Sequence, residues 1–333
     1  MISDQLPPGD HAVADQLGAA AAVAARAPSI HNTQPWRWRI HASTADLYLD
    51  ASRQLHVTDP DCRLATVSCG AALHHAQVAL AAAGSATEVR LLPQPDNPLH
   101  LATITAIARA RPVPDAQRLR QAIEVRHTDR RPPKQQPIPT DVMPLLQATA
   151  ATHLSGLQPL DRDKVLELAA AITQAQADET ADPATRRELD TWTGTDRHSG
   201  AGIPDANILT GPTSTTVPNR DFGHIGTLPV NDQHDDAATY AILYGYADDP
   251  RAWLRAGQAL SDIWLATTAM NIALLPFSAA VEPPRTRELV NRLLIGIGYA
   301  QLAIRLAIPD PTQGDAPRTP RLPTTETIER VQP

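Results

Sequence analysis

Three stretches of this 333-residue chain carry residue types and spacings that could do chemistry. The first is Ala27-Pro28-Ser29-Ile30-His31-Asn32-Thr33-Gln34-Pro35-Trp36. Pro28 sets φ, while Ser29, Asn32 and Thr33 bring hydroxyl and amide groups that cap backbone or bond a ligand. Gln34-Pro35 reads as an extended pair, because the residue before a proline is driven out of the α region. Trp36 then anchors the turn to a core. On local physics alone the stretch is also readable as a plain connection held by Asx and Ser turns. The second stretch is Arg126-His127-Thr128-Asp129-Arg130-Arg131-Pro132. Guanidinium forks beside a hydroxyl suit a phosphate monoester, whose nearly two charges want planar donors. A solvated charge cluster would have the same composition. The third is the tail Ala316–Pro323, with Arg318, Thr319 and Arg321, followed by Glu326 and Glu329. Alone, such a tail reads as a loose terminus. Each charge-assisted hydrogen bond to a phosphate contributes about 1.5–3 kcal/mol.

These stretches need elements to position them. His11–Arg26 is Ala-rich and suits a helix. Trp36–Ile40 and Asp46–Asp50 alternate in polarity and could pair as strands. Gly70 opens a second helix, Ala71–Ala83, which Gly84 stops. Strand-like runs follow at Glu88–Leu92 and Leu101–Ala106, and Arg111-Pro112 with Pro114 marks a boundary. Helical patterns come at Ala116–Val125, Thr140–Ala150 and Asp161–Ala177. From about Thr180 to Ala237 the composition shifts to Gly, Pro, Thr, Asn and Asp, as in a functional loop, a lid or a disordered segment. Arg251–Leu275 reads as one long helix, Arg285–Leu294 as a shorter one and Gly296–Ile308 as a buried strand. A faint repeat lays Ala27–Trp36 over Ala151–Leu160 and Gly70–Leu73 over Gly257–Leu260, in the same order.

Composition narrows the function. The chain has 29 basic and 36 acidic residues, a formal charge of −7, which argues against coating nucleic acid. All the basic residues but Lys134 and Lys164 are arginines, so arginine abundance alone means little. Hydrophobic residues at 42% exclude a disordered chain. Cys62 and Cys69 have neither disulfide-framework nor CxxC spacing. The first ten residues lack the pattern of a secretory leader, and no run approaches the ~20 apolar residues of a membrane span. A reducing, cytoplasmic setting is expected, with neither a nucleic-acid nor a membrane partner. His74 and His75 fall on adjacent faces of one helix and read as helix-surface residues, not joint metal ligands. Asp232–Asp236 reads as a solvated turn. Gly296 and Gly298 read as close backbone packing, since Gln301 stands where a dinucleotide fingerprint has its third glycine. No metal site is expected.

The ten-residue stretch resembles the A-P-S-x-x-N-x-Q-P-W signature of the FMN-dependent nitroreductase superfamily, with identities at Ala27, Pro28, Ser29, Asn32, Gln34, Pro35 and Trp36. Arg126, Thr128 and Arg130 resemble that family's R-R-S-x-R motif, and His127 departs from it at the second arginine. Arg318 and Arg321 stand where the family's basic C-terminal stretch returns to the cofactor. The chain is most similar to the Acg family of fused nitroreductase-like proteins. The resemblance implies an α+β nitroreductase-like fold with two related halves, 1–114 and 115–333, forming a pseudo-dimer, so that the protein is a monomer or a weak homo-oligomer. It implies a lid-like insertion at about 180–237 and one FMN per chain, because the second turn, at Thr152–Gln158, has lost the Pro-Ser pair and the asparagine. FMN would be held by Pro28, Ser29, Ile30, His31, Asn32, Gln34, Arg126, Thr128, Arg130, Arg318, Thr319 and Arg321. The implied activity is NAD(P)H-dependent reduction of a nitroaromatic or quinone-type small-molecule acceptor, with no side chain as nucleophile. The alternative it implies is an FMN-sequestering or storage protein with a closed lid.

Overall fold

The computed structural model describes residues 10–194 and 200–331. Outside the described residues lie 1–9, on which the leader reading rests, 195–199 within the glycine-rich stretch, and 332–333. Helix α1 (Asp10–Ala24) leads through the Pro28 turn into β1 (Trp36–Ile40), antiparallel to β2 (Thr44–Leu49). Trp36, Trp38 and Ile40 are buried while Arg37 and Arg39 face solvent, the alternation that the sequence predicts. There follow α2 (Arg63–Ala82), β3 (Ser85–Leu91), β4 (His100–Arg109) and α3 (Pro114–Val125). The chain continues with α4 (Val142–Thr152), β5 (Ser155–Pro159), α5 (Arg162–Ala181) and α6 (Pro183–Trp192). After the largely irregular stretches 193–194 and 200–238 come β6 (Thr239–Gly245), α7 (Pro250–Ala269), β7 (Ala273–Phe277), α8 (Pro284–Leu293) and β8 (Tyr299–Ala307). The tail ends in a short helix α9 (Thr324–Thr327) and β9 (Ile328–Arg330).

The strands form two sheets, β3-β4-β2-β1-β9 and β7-β8-β6-β5. The second sheet repeats the strand order of the first, apart from β9. That strand brings the C-terminus back to pair in parallel with β1, Ile328 opposite Trp38. One apolar core gathers around α1, α2, β1, β2 and β4, the other around α4, β6, α7 and β8. The central helices exchange side chains between them: Leu64 and Val67 of α2 lie in the second core, Leu254 of α7 in the first. They approach backbone to backbone. A Cβ on Gly70 would lie 2.2 Å from the Leu254 carbonyl oxygen, and one on Gly257 would lie 1.9 Å from that of Val67. Gly257→Ala is therefore expected to lower stability by about 1–3 kcal/mol, although alanine is the better helix former. Urea unfolding measures it, and an unchanged midpoint would contradict the close crossing.

Several boundaries differ from the sequence reading. Helix α2 begins at Arg63, not Gly70, because both carboxylate oxygens of Asp59 accept from the first turn, at Leu64 N (3.0 Å) and Ala65 N (2.9 Å). Gly70 sits inside the helix at the crossing. The apolar run Arg251–Leu275 is not one helix. It breaks at Asn271, with φ +56°, and re-enters as β7, which pairs with β8. Helix α5 runs to Ala181, and Asp182 caps α6 through Ala184 N and Thr185 N. The irregular segment thus starts near Thr193 instead of Thr180. Among the described residues no helix is long and apolar enough to cross a membrane.

Candidate functional site

The turn after α1 is built under backbone strain. His31, Asn32 and Gln34 have φ of +43°, +54° and +52°, a region that non-glycine residues seldom adopt. Such strain persists only where the surroundings over-determine it. Here Ser29 Oγ accepts from Gln34 N at 2.9 Å, and Ile30 N donates to Ser68 Oγ of α2 at 3.1 Å. Gln34 is therefore left-handed, not the extended residue that the following proline predicts.

The turn faces a large cavity lined also by the other two stretches. Pro28, Ser29, Ile30, His31 and Asn32 line it from the turn. Arg126, Thr128 and Arg130 line it from the segment after α3, and Arg318, Thr319 and Arg321 from the tail. Leu260 and Trp264 of α7, Phe277 of β7, and Ile203 and Phe222 of the irregular segment supply apolar wall. Gln34 does not line it. Its side chain lies behind the turn, donating to Gly200 O at 2.9 Å and accepting from Leu322 N at 3.0 Å. It fastens the tail from outside the cavity lining.

Two arginines meet at one carbonyl. Arg126 Nη2 and Arg321 Nη2 donate to Arg26 O at 3.0 and 3.2 Å. Arg126 also stacks on Trp264, its guanidinium carbon 4.6 Å from the ring centre. Burial, with the Arg321 charge alongside, brings Arg126 down to about 9. Burial and Arg26 bring Arg321 down to about 10. Among the described residues neither has a carboxylate within ion-pair distance, and Nε of each is buried without a hydrogen-bond partner. Buried charge left this way is costly unless an anion completes it. Arg130 stands apart: it donates to Asn207 O at 3.1 Å and lies over Phe222. Burial brings it down to about 10, with Asp129 opposing and Arg220 adding to the shift. Arg131 has a different task. It pairs with Asp129 at 2.8 Å and donates to Gln313 O and Gly314 O, anchoring the tail. Arg126 and Arg131 are thus buried and the residues between them half-buried, so the run is not a solvated cluster.

The tail is likewise no loose terminus, since it is stitched to the turn and the irregular segment. Asn32 Nδ2 donates to Gly202 O (2.9 Å) and Pro320 O (3.0 Å), and Arg321 Nη1 donates to Asn32 Oδ1 (3.1 Å). Gly200 has φ +77°, and a Cβ there would lie 2.4 Å from Arg321 O.

No family model matches the chain. It is 38% identical over 316 residues to "Putative NAD(P)H nitroreductase Rv3131" of Mycobacterium tuberculosis (strain ATCC 25618 / H37Rv), covering 92% of this chain and 89% of that protein. The chain belongs to this nitroreductase-like family. Another member, "Putative NAD(P)H nitroreductase acg" of the same strain, is 33% identical over 315 residues, covering 94% of this chain and 95% of that one. The solved structure of the FMN-dependent nitroreductase NfnB from Mycobacterium smegmatis in complex with NADPH aligns with a TM-score of 0.42 and 16% identity, over 65% of this chain and 99% of that one.

Beyond the nitroreductase-like signature, the cavity uses residues that the sequence did not single out. Arg220, in the irregular segment, binds both oxygens of Glu282 (2.6 and 2.8 Å) and Glu179 Oε2 (2.9 Å). Glu282 Oε1 also lies 3.9 Å from His31 Nε2. No short motif marks Arg220, because its partners sit 41 and 62 residues away. Asp235 is no solvated residue either. It is buried, and it accepts from Thr216 N (2.7 Å) and from the Tyr240 hydroxyl. His74 and His75 are buried between α2 and α7, each with Nδ1 within 2.9 Å of Ser261 Oγ. A helical face that looks exposed in sequence is covered wherever another helix crosses it.

Proposed function

We propose that this chain binds one FMN in the arginine-lined cavity and carries out NAD(P)H-dependent reduction of a nitroaromatic or quinone-type acceptor. The observation that carries the reading is the pair Arg126, buried, and Arg321, partly buried, with no carboxylate in ion-pair range of either among the described residues, at a cavity shared with the Pro28–Asn32 turn. A phosphate monoester supplies the acceptors that Arg126 Nε and Arg321 Nε lack, and Thr128 lies on the same wall. Leu260, Trp264 and Phe277 suit a flat aromatic ring. FMN, when bound, supplies the redox chemistry; the chain's part is to neutralise the phosphate, exclude water and orient the ring. His31 is neutral at physiological pH: burial, with Arg220 adding to the shift and Glu282 opposing, brings it down to about 3.

The matching strand order of the two sheets supports reading 1–114 and 115–333 as related halves of a pseudo-dimer, which the tail joins by adding β9 to the first sheet. The hydrogen bonds from Asn32 and Gln34 to Gly202 and Gly200, with the Arg220 ion pairs, favour a second reading: a closed lid that sequesters FMN.

Arg126→Ala is expected to weaken FMN binding about 10–100-fold, the equivalent of one charge-assisted contact. The flavin-free variant should be no less stable, since the substitution removes an uncompensated buried charge. Flavin fluorescence titration and thermal melts measure both, and unchanged FMN affinity would refute the phosphate assignment. NADPH oxidation stimulated by a nitroaromatic acceptor supports the reductase. A bound flavin that stays oxidised under excess NADPH supports sequestration.

A further inference from the structure

Away from the flavin cavity, two imidazoles converge on one carboxylate. His74 projects from α2, His153 follows the last residue of α4, and Asp262 projects from α7. His153 Nε2 lies 2.9 Å from Asp262 Oδ2, and His74 Nε2 lies 3.7 Å from the same oxygen. One ligand atom from each residue lies within 4.8 Å of the other two. The His153 contact is an ordinary hydrogen bond. The His74 contact is too long for one. Yet the His74 ring is held in that direction, with Nδ1 2.8 Å from Ser261 Oγ and its edge against His153, ring centres 5.3 Å apart at 88°.

We propose that His74, His153 and Asp262 bind a single divalent transition-metal ion of the Zn²⁺ class. Metal–ligand bonds of about 2.1 Å in a tetrahedron set donor atoms about 3.4 Å apart. The 2.9 and 3.7 Å separations straddle that value, so small side-chain rotations complete the site. Two imidazoles and a carboxylate select Zn²⁺ and its neighbours over Mg²⁺ or Ca²⁺. Ser261 provides the outer hydrogen bond that orients a ligating histidine. The side chains of His153 and Asp262 are 16% and 20% exposed, which leaves the fourth position to water. The ion ties α2, α4 and α7 together across the crossing of the two cores. None of the three ligands lines the flavin cavity.

The test uses the full flavin-loaded chain, stripped with a chelator, dialysed and titrated with zinc chloride by calorimetry, with melts in Zn²⁺ or Mg²⁺. One Zn²⁺ per chain is expected, with a higher melting temperature in Zn²⁺ and no change in Mg²⁺. His153→Gln and Asp262→Asn, both at partly exposed positions, are each expected to weaken Zn²⁺ binding at least about tenfold while leaving flavin content unchanged. No heat and no shift in the parent protein would overturn the proposal. So would an equal shift in Mg²⁺, or variants that bind Zn²⁺ as tightly as the parent, which would place the ion on other histidines.

Discussion

Arg220→Met is expected to destabilise the folded protein by about 3–5 kcal/mol, the cost of leaving buried carboxylates without their cation. The Arg220, Glu179 and Glu282 side chains are 10%, 7% and 4% exposed. Burial alone would raise Glu282, but Arg220 overrides it and holds that carboxylate down to about 2. With Arg220 gone, Glu282 and Glu179 face one another's charge in a dry setting, and one of them must take up a proton. Arg220→Met combined with Glu282→Gln should therefore recover part of the loss, because the second change removes a charge the first left unpaired. Urea unfolding of the single and double variants reads this directly. A loss under about 1 kcal/mol for the single variant would mean that the network is screened like an exposed pair. Arg220 lines the cavity and ties the irregular segment to Glu282 beside it, so on the proposed FMN reading the single variant should also release FMN faster.

Much of this arrangement was legible before any fold was known, and the exceptions have physical causes. Alternation in Trp36–Ile40 marked β1, because one face of that strand is buried and the other is wet. β6 and β7 carried no such mark. Tyr240–Leu243 is buried on both faces, and Leu274–Phe277 continues the apolar run of α7 without a break in composition. Periodicity cannot divide a buried helix from a buried strand, so the join at Asn271 stayed hidden. Gly70 misled for a related reason. A glycine at a helix crossing and a glycine at a helix start look alike in sequence, and only the partner Gly257 distinguishes them.

Within the candidate site, Pro28–Asn32, Arg126, Arg130, Arg318 and Arg321 were legible as fixed patterns and line the cavity, while Arg131 does not. What they do individually was not. Arg126 and Arg321 share a carbonyl, Arg130 lies over Phe222, and Arg131 binds Asp129 and the tail. Four neighbouring or matching guanidiniums thus divide into separate tasks, set by which remote segment folds over each. Gln34 shows the limit most clearly. Its type suits a ligand contact, yet its amide is taken up by Gly200 and Leu322, neither of which is near it in sequence.

Mild acid is expected to destabilise the protein strongly, through its buried histidines. Burial lowers three histidines. His31 falls to about 3, with Arg220 and Arg130 adding and Glu282 opposing. His74 falls to about 4, with Asp262 opposing and His153 adding. His75 falls well below its ordinary value, with Arg126, His74 and Arg321 adding and a hydrogen bond to Ala71 opposing. In the unfolded chain each titrates near 6.5. Between about pH 6.5 and 4 the unfolded state therefore binds more protons than the folded one, and stability falls as pH falls. At pH 5 His31 and His74 each cost about 2 kcal/mol, and His75 adds to the loss in the same direction, against a total of about 5–15 kcal/mol for a typical domain. Glu282, held down to about 2, adds a loss of the same sign below about pH 4.5. Asp59 and Glu179 are raised by burial and act oppositely, gaining stability as acid neutralises them. Stability from urea unfolding between pH 8 and 5, in chelator to keep metal off His74, should fall with a limiting slope of at least about 3 kcal/mol per pH unit. A flat profile between pH 7 and 5 would contradict the buried neutral state of all three. His31→Asn should reduce the slope by about 1.4 kcal/mol per pH unit, because the proton His31 takes up on unfolding is then missing.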